Sequence, residues 1–251
     1  IDPLRAFTGR YVADAADLDA TVSHVLDTHV HADHVSGART VAGRTDAEVV
    51  LPAGAADRDL AFDATLVGRG GTLTVGGTTL RALGAPGHTH EMTAFAVGGP
   101  GQNEDAVDTA GADVLLAGDS LLLRSVARPD LEGGVDGAPE LAALLYETLT
   151  ERFTALPDDV LVAPGHYDPA TTTAESGVYA ATLGELRESL PALSMDSDAF
   201  VNHVLSAMPP RPNNYRRIIA TNLGREHVDD GDAFEMELGP NNCAATGADA
   251  D

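Results

Sequence analysis

The sequence predicts an α/β fold of layered sheets and helices, and three observations carry that prediction. Short apolar, strand-like segments recur along the 251 residues, and four lead into a loop bearing His or Asp: Thr28-His29-Val30-His31-Ala32-Asp33-His34, Ala85-Pro86-Gly87-His88-Thr89-His90, Leu116-Ala117-Gly118-Asp119-Ser120 and Ala163-Pro164-Gly165-His166-Tyr167. A separate stretch sets Leu141, Leu144, Leu145, Leu149 and Phe153 at helical spacing, the pattern of a core-facing helix. The length also suffices for one large domain with a proper core. Glycine before His88, Asp119 and His166 lets the backbone turn sharply. The four loops can then converge on one edge of a sheet, where sites in layered α/β folds usually lie.

In chain order, Ala13 to Thr21 reads as a short helix, Val22 to Leu26 as a buried strand, and Asp33 to Ala42 as a helix opened by the His-rich run. Gly76-Gly77 between Thr72-Leu73-Thr74-Val75 and Thr78-Thr79-Leu80-Arg81 is a hairpin signal. Met92 to Val97 and Val114 to Ala117 are further strands, separated by a Gly-rich acidic stretch, Gly98 to Gly111, expected as an exposed loop. Pro139 to Leu156 is the helix with the Leu stripe, Val160 to Val162 a strand, and Ala174 to Leu190 a helix. Asp198 to Met208 and Tyr215 to Asn222 are expected to form a C-terminal helical cap, punctuated by Pro209-Pro210 and Pro212. The expected domain therefore spans residues 1–225. Residues 226–251, acidic and poorly periodic, are expected to be a partly disordered tail.

Composition limits the partners. The chain holds 39 acidic against 15 basic residues, a net charge of −24, and every basic residue is Arg. Such a surface repels polyanions, so neither nucleic acid nor a membrane is expected as a partner. Acidic excess, absent Lys and abundant Ala, Asp and Gly resemble proteins of extreme halophiles, since at molar salt a Debye length of ~3 Å screens carboxylate repulsion. The sole cysteine, Cys243, lies in a polar stretch, which speaks against a disulfide or a thiolate cluster and for a reduced, cytoplasmic location. No apolar run approaches the roughly 20 residues of a membrane helix, and no signal peptide is expected.

The His-rich run places three imidazoles and one carboxylate within six residues, directly after an apolar segment. Buried histidines must be neutral or paired, so a cluster of this density is unfavourable unless a cation organises it. A lone histidine would be as readily a satisfied polar residue as a ligand; the cluster points to metal. His90 reads as a loop residue, and His24, His203 and His227 have no motif around them and read as structural or surface groups.

The order HxHxDH, then GH, GD and GH, resembles the metallo-β-lactamase superfamily. The resemblance implies an αββα sandwich, two mixed sheets packed face to face with helices outside and a metal site at one edge. In proteins of this kind Ile1-Asp2-Pro3 closes the second strand of the first sheet, so a leading hairpin is expected to be missing from this sequence. The stretch Gly118 to Leu131, with Asp119, Arg124, Arg128 and Asp130, is similar to the GDxLLxRxxxRxDL segment of persulfide dioxygenases, the ETHE1-like family, and of relatives that fuse this domain to a rhodanese. Met208 to Ile219 also resembles that family's C-terminal region. Cys243 is followed by Ala244 and lacks the Arg and Gly of a rhodanese loop, so no rhodanese domain is expected.

That resemblance implies one non-haem iron(II) per chain, held by His29, His88 and Asp119. Two imidazoles and one carboxylate on one face leave positions where a sulfur substrate and dioxygen meet, a ligand set that favours redox-active iron. His31, Asp33, His34 and His166 then orient the ligands or, in a competing assignment, complete a site for two zinc ions. Arg128 is expected to grip a carboxylate of a small thiol persulfide by paired hydrogen bonds, with Arg124 and Tyr167 also at the substrate. A structural bridge from Arg128 to Asp130 is the alternative for that side chain. The expected reaction oxidises the persulfide with O2 to sulfite and free thiol, with a small carrier or partner protein delivering the sulfur. A dizinc thioester hydrolase of the glyoxalase II type and a non-catalytic sulfur-binding scaffold are the other readings. The family suggests a homodimer.

Overall fold

The computed structural model describes residues 1–98, 111–168, 170–174, 177–239 and 243–245. Its elements in chain order are α1 (Thr8–Asp17), β1 (His24–Leu26), α2 (Ala38–Thr45), β2 (Glu48–Pro52), β3 (Thr65–Val67), β4 (Thr72–Val75), β5 (Thr78–Gly84), β6 (Thr93–Val97), β7 (Val114–Gly118), β8 (Val126–Ala127), α3 (Gly134–Glu147), β9 (Leu161–Pro164), β10 (Ala181–Thr182), α4 (Leu183–Ser189), α5 (Ser197–Ser206), α6 (Tyr215–Asn222), α7 (Asp230–Met236) and β11 (Ala244–Ala245). Among the described residues no helix is long and apolar enough to cross a membrane. Apart from its ends, the Gly98 to Gly111 loop lies outside the described residues.

The chain divides into two compact units, one drawn from 1–68 and 210–242, the other from 69–209 and 243–251. In the first, β1, β2 and β3 form a parallel sheet in that order, with Val25 opposite Val49 and Leu51 opposite Leu66. Its apolar residues bury in separate clusters: Val25 with Ala38 and Val41; Val30 with Leu51, Ala55 and Leu223; Val35 with Ile218, Val228, Ala233 and Met236. The last cluster explains why the acidic segment after Glu226 carries a helix. Three apolar side chains reach the core, and Asp229 caps the helix start by accepting from Asp232 N at 2.8 Å.

The second unit is organised on a six-stranded mixed sheet in the order β10-β9-β7-β6-β5-β4. The Gly76-Gly77 hairpin forms as expected, pairing Val75 with Thr78. The β7 and β9 strands run parallel, so that the loops carrying Asp119 and His166 leave the sheet from the same end. The Leu stripe is core: Leu145, Leu149 and Phe153 bury against Leu83, Met92 and Phe200, each burial worth roughly 1.5–3 kcal/mol. The α-helix itself stops at Glu147 and continues as a wider π-type turn over Thr148–Phe153. Gly87 shows why this loop needs glycine, because it has φ +144° and a Cβ there would sit 2.4 Å from Leu145 Cβ.

Some expected boundaries move, each for an identifiable reason. The helix placed over Asp33 to Ala42 starts only at Ala38, since the preceding backbone is bonded outward: Asn222 Nδ2 donates to the carbonyls of His31 and His34, Asn222 Oδ1 accepts from Ser36 N, and Glu237 accepts from Val35 N. The first helix sits earlier, at Thr8–Asp17, and the backbone turns away at Asp19, φ +52°. The helix expected over Ala174 to Leu190 is confined to Leu183–Ser189. Thr182 and Glu185 form a capping box there, and Ala181–Thr182 are spent pairing with β9. Strands β2 and β3 were not legible as separate elements in the sequence.

Candidate metal centre

The His-rich run lies between β1 and α2 in the first unit, and its side chains are almost fully buried. Histidine tautomers here follow from partners that can only donate or only accept. His34 Nδ1 lies 3.1 Å from Asp33 Oδ2, so the ring donates there and keeps its Nε2 lone pair. His31 is held at the other nitrogen, with Nε2 3.1 Å from Asp2 Oδ1. His29 Nδ1 is 3.0 Å from Thr28 Oγ1. One donor atom from each of His31, Asp33 and His34 lies within 4.8 Å of the others, close enough to share an ion.

A further carboxylate pair stands behind these rings. Asp2 accepts from Thr28 N at 2.7 Å and Thr28 Oγ1 at 3.0 Å, while Asp27 accepts from Ser36 Oγ at 2.6 Å and stands 3.9 Å from His31 Nε2. Burial by itself would raise the Asp2 carboxyl, but His31 and the hydrogen bonds from His31 and Thr28 hold it down at about 2. Burial would likewise lower His31, yet Asp2, Asp27 and Asp33 raise it to about 9. Asp27 remains above the usual carboxylate range because burial outweighs its attraction to His31.

In the second unit His88, Asp119 and His166 come together. His88 Nδ1 lies 2.8 Å from the Arg128 carbonyl, which can only accept, so the ring carries hydrogen at Nδ1 and offers Nε2. That Nε2 faces Asp119 Oδ2 at 3.6 Å. The spacing exceeds a hydrogen bond and suits two ligands that each lie ~2.1 Å from a common ion. The other oxygen, Asp119 Oδ1, accepts from His166 Nδ1 at 2.7 Å. Gly165 makes this possible by close approach: its N–H donates to Gly118 O, and a Cβ there would stand 2.6 Å from Asp119 Oδ1.

Arg128 is fully buried and grips Asp130 with two bonds, Nε to Oδ1 at 2.7 Å and Nη2 to Oδ2 at 3.1 Å, and reaches Pro209 O at 2.7 Å. The bridge to Asp130 is therefore present, and the same residue's carbonyl aims His88. Arg124 is exposed and lines a cavity of about 550 Å³ with Thr171, Thr172, Thr173 and Glu185. Tyr167 is also exposed and stacks on Tyr179, ring centres 3.6 Å apart. His90 pairs at the surface with Glu132, and His24 with Ser23.

Two participants escaped the sequence reading. Asp2 was read only as part of a strand end, and its motif held no sign of the histidine it meets. Cys243, read as part of a polar tail, is buried, and its sulfur lies within 4.8 Å of a His166 ring nitrogen. Its strand, β11, pairs with β8, which places Cys243 O to accept from Arg128 N. The Cys243 placement had no local signal beyond a buried residue type in an acidic segment.

A donor set of imidazoles and carboxylates at strand ends, each ring with one nitrogen anchored, defines a metal-binding α/β protein. The chain belongs to the metallo-beta-lactamase superfamily, whose family model matches residues 1–166. It is similar to the mitochondrial persulfide dioxygenase ETHE1 of Mus musculus, 24% identical over 225 residues that cover 89% of this chain and 77% of that protein. The hydroxyacylglutathione hydrolase of Rhodospirillum rubrum is 29% identical over 188 residues, 75% of this chain and 63% of that one. Among solved structures, ETHE1 from Myxococcus xanthus superposes with a TM-score of 0.72 at 28% identity, covering 90% of this chain and 87% of that chain.

Proposed function

We propose that the protein is a persulfide dioxygenase that holds one iron(II) through His29, His88 and Asp119. The observation that carries the reading is the bond from His166 Nδ1 to Asp119 Oδ1. One Asp119 oxygen is held by an imidazole and the other faces His88, so His166 orients the carboxylate and Oδ2 is the oxygen turned toward a shared ion. With His166 orienting rather than ligating, His29, His88 and Asp119 would be the residues to hold one ion. Similarity to ETHE1 proteins of mouse and Myxococcus xanthus points the same way.

Iron(II) held by His29, His88 and Asp119 would supply the redox chemistry that joins a persulfide sulfur to dioxygen. The balance is RSSH + O2 + H2O giving RSH, sulfite and two protons. The chain's own residues orient and exclude: the Arg128 carbonyl aims His88, His166 orients Asp119, and burial of the donors keeps bulk water out. With Arg128 committed to Asp130, Arg124, exposed beside three threonines, would be the arginine to meet a carboxylate of the thiol. The net charge of −24 supports a salt-adapted protein, for which the unfolding midpoint rises between dilute buffer and ~2 M KCl as carboxylate repulsion is screened.

The hydrolase relatives favour a second reading, a dizinc thioesterase that also uses His31, Asp33 and His34. Metal analysis of protein purified in high salt, with oxygen uptake on glutathione persulfide and hydrolysis of a glutathione thioester, separates the two. One iron per chain with oxygen uptake supports the dioxygenase. Two zinc ions with thioester cleavage refute it, and full metal occupancy without either activity indicates a scaffold.

A further inference from the structure

We propose that Asp2 is a positioning residue of the metal centre, fixing the tautomer of His29 through Thr28 and anchoring His31 directly at Nε2. The inference rests on His29 being a metal ligand, as in the function proposed above. It begins with how the segment around Asp2 is held. Asp2 N donates to Leu26 O at 2.7 Å, Gly37 N donates to Pro3 O at 2.6 Å, and Leu4 forms a bridge with Ser36. Residues 2–4 are thus strapped along the loop that carries the His-rich run. The Asp2 backbone lies in the left-handed region, φ +48°, which Asp tolerates better than most residues.

Hydrogen counting then determines the direction of each bond. The Asp2 carboxylate receives three donors: Thr28 N and His31 Nε2 at Oδ1, and Thr28 Oγ1 at Oδ2. A hydroxyl has one hydrogen, and Thr28 places it on Asp2. Toward His29 Nδ1, 3.0 Å away, the same oxygen can only accept. His29 must therefore carry its hydrogen at Nδ1 and present the Nε2 lone pair. The chain Asp2–Thr28–His29 is dictated end to end by the carboxylate. His31 donates Nε2–H to Asp2, so Nδ1 is the nitrogen it can offer to an ion once that position gives up its proton. One carboxylate thereby anchors the two neighbouring histidines at opposite ring nitrogens.

Long-range proton–nitrogen correlation spectra of the metal-free, 15N-labelled full chain test this, together with titration by Co(II). In the native protein His29 is expected as the Nδ1–H tautomer. Thr28→Val removes the hydroxyl and shifts His29 toward a mixture while leaving His31 unchanged; Asp2→Asn disturbs both rings; Thr28→Ser restores the native pattern. Co(II) affinity falls about 10–100-fold in Thr28→Val and Asp2→Asn, the usual cost of removing a group that orients a metal-bound histidine, and recovers in Thr28→Ser. A merely structural Asp2 would change the unfolding midpoint and leave the tautomers alone. The proposal is overturned if native His29 carries hydrogen at Nε2, if its ring is unaffected in both variants, or if Co(II) affinity does not change. Should Asp2→Asn fail to fold, the Thr28→Val and Thr28→Ser pair decides the question. Neither readout involves oxygen or persulfide, so a negative result in the activity assay leaves it standing.

Discussion

The two units aim their histidines by different means. In the first, His29, His31 and His34 lean on side chains: a threonine hydroxyl, the Asp2 carboxylate and Asp33. In the second, His88 leans on a main-chain carbonyl, that of Arg128, whose own side chain is locked to Asp130. A carbonyl cannot titrate, and it survives substitution of the residue that bears it as long as the loop keeps its path. Side-chain support is exposed to both single substitution and pH. Orientation of His88 is therefore a question of loop geometry, and that of the first unit's histidines a question of proton placement.

The largest effect that bears on this contrast is loss of a donor. His88→Ala or Asp119→Ala should weaken metal binding by more than about 100-fold, beyond the cost of removing an orienting partner, as read from metal content after dialysis. Arg128→Met comes next. It takes the guanidinium away from the buried Asp130 carboxylate and should cost about 3–5 kcal/mol in denaturant unfolding, with weakened metal binding as the loop under His88 relaxes. Retention of full stability would show that the ion pair does not hold that loop. Gly165→Ala should drive Asp119 out of line at a smaller cost, about 1–3 kcal/mol, because the added methyl meets Oδ1. Its signature is metal affinity lost out of proportion to stability.

The pH dependence separates the units most directly. An imidazole raised to about 9 contributes stability that is fully present below 6.5 and is lost as pH rises through 9. A carboxyl lowered to about 2 contributes stability that is present above 3.8 and is lost as pH falls through 2. The unfolding midpoint of the metal-free protein should accordingly decline between pH 6.5 and 9, and Asp2→Asn should flatten that decline. Arg128→Met should leave its slope unchanged. The smallest expected effect is Arg124→Gln, which should raise KM about 3–10-fold for a carboxylate-bearing persulfide, the loss of one exposed charge-assisted contact, and not for a persulfide without a carboxylate.

Much of this protein was legible in local pattern. The hairpin at Gly76-Gly77, the Leu stripe of α3, helix α6 at its observed bounds and the strands before Asp119 and His166 all follow from periodicity and turn residues within a dozen positions. The candidate donors could be named as well, because imidazoles and carboxylates at that density have few other uses. The β2 and β3 strands were not, since each buries only a few residues and neither alternates cleanly. The start of α2 was hidden for a different reason: the groups that hold residues 31–36 in a non-helical path, Asn222 and Glu237, come from far along the chain.

By itself the sequence determined the α/β class, the family and the inventory of donors. Each is carried by residue type and short spacing, which chemistry and local backbone geometry constrain directly. Only the tertiary structure decided what each donor leans on. Asp2 meets His31 across 29 positions, Arg128 reaches Pro209 across 81, and Asn222 closes on His34 across 188. No local periodicity encodes such pairs. They exist because a buried polar group must find a partner wherever folding brings one, and that search is settled in space.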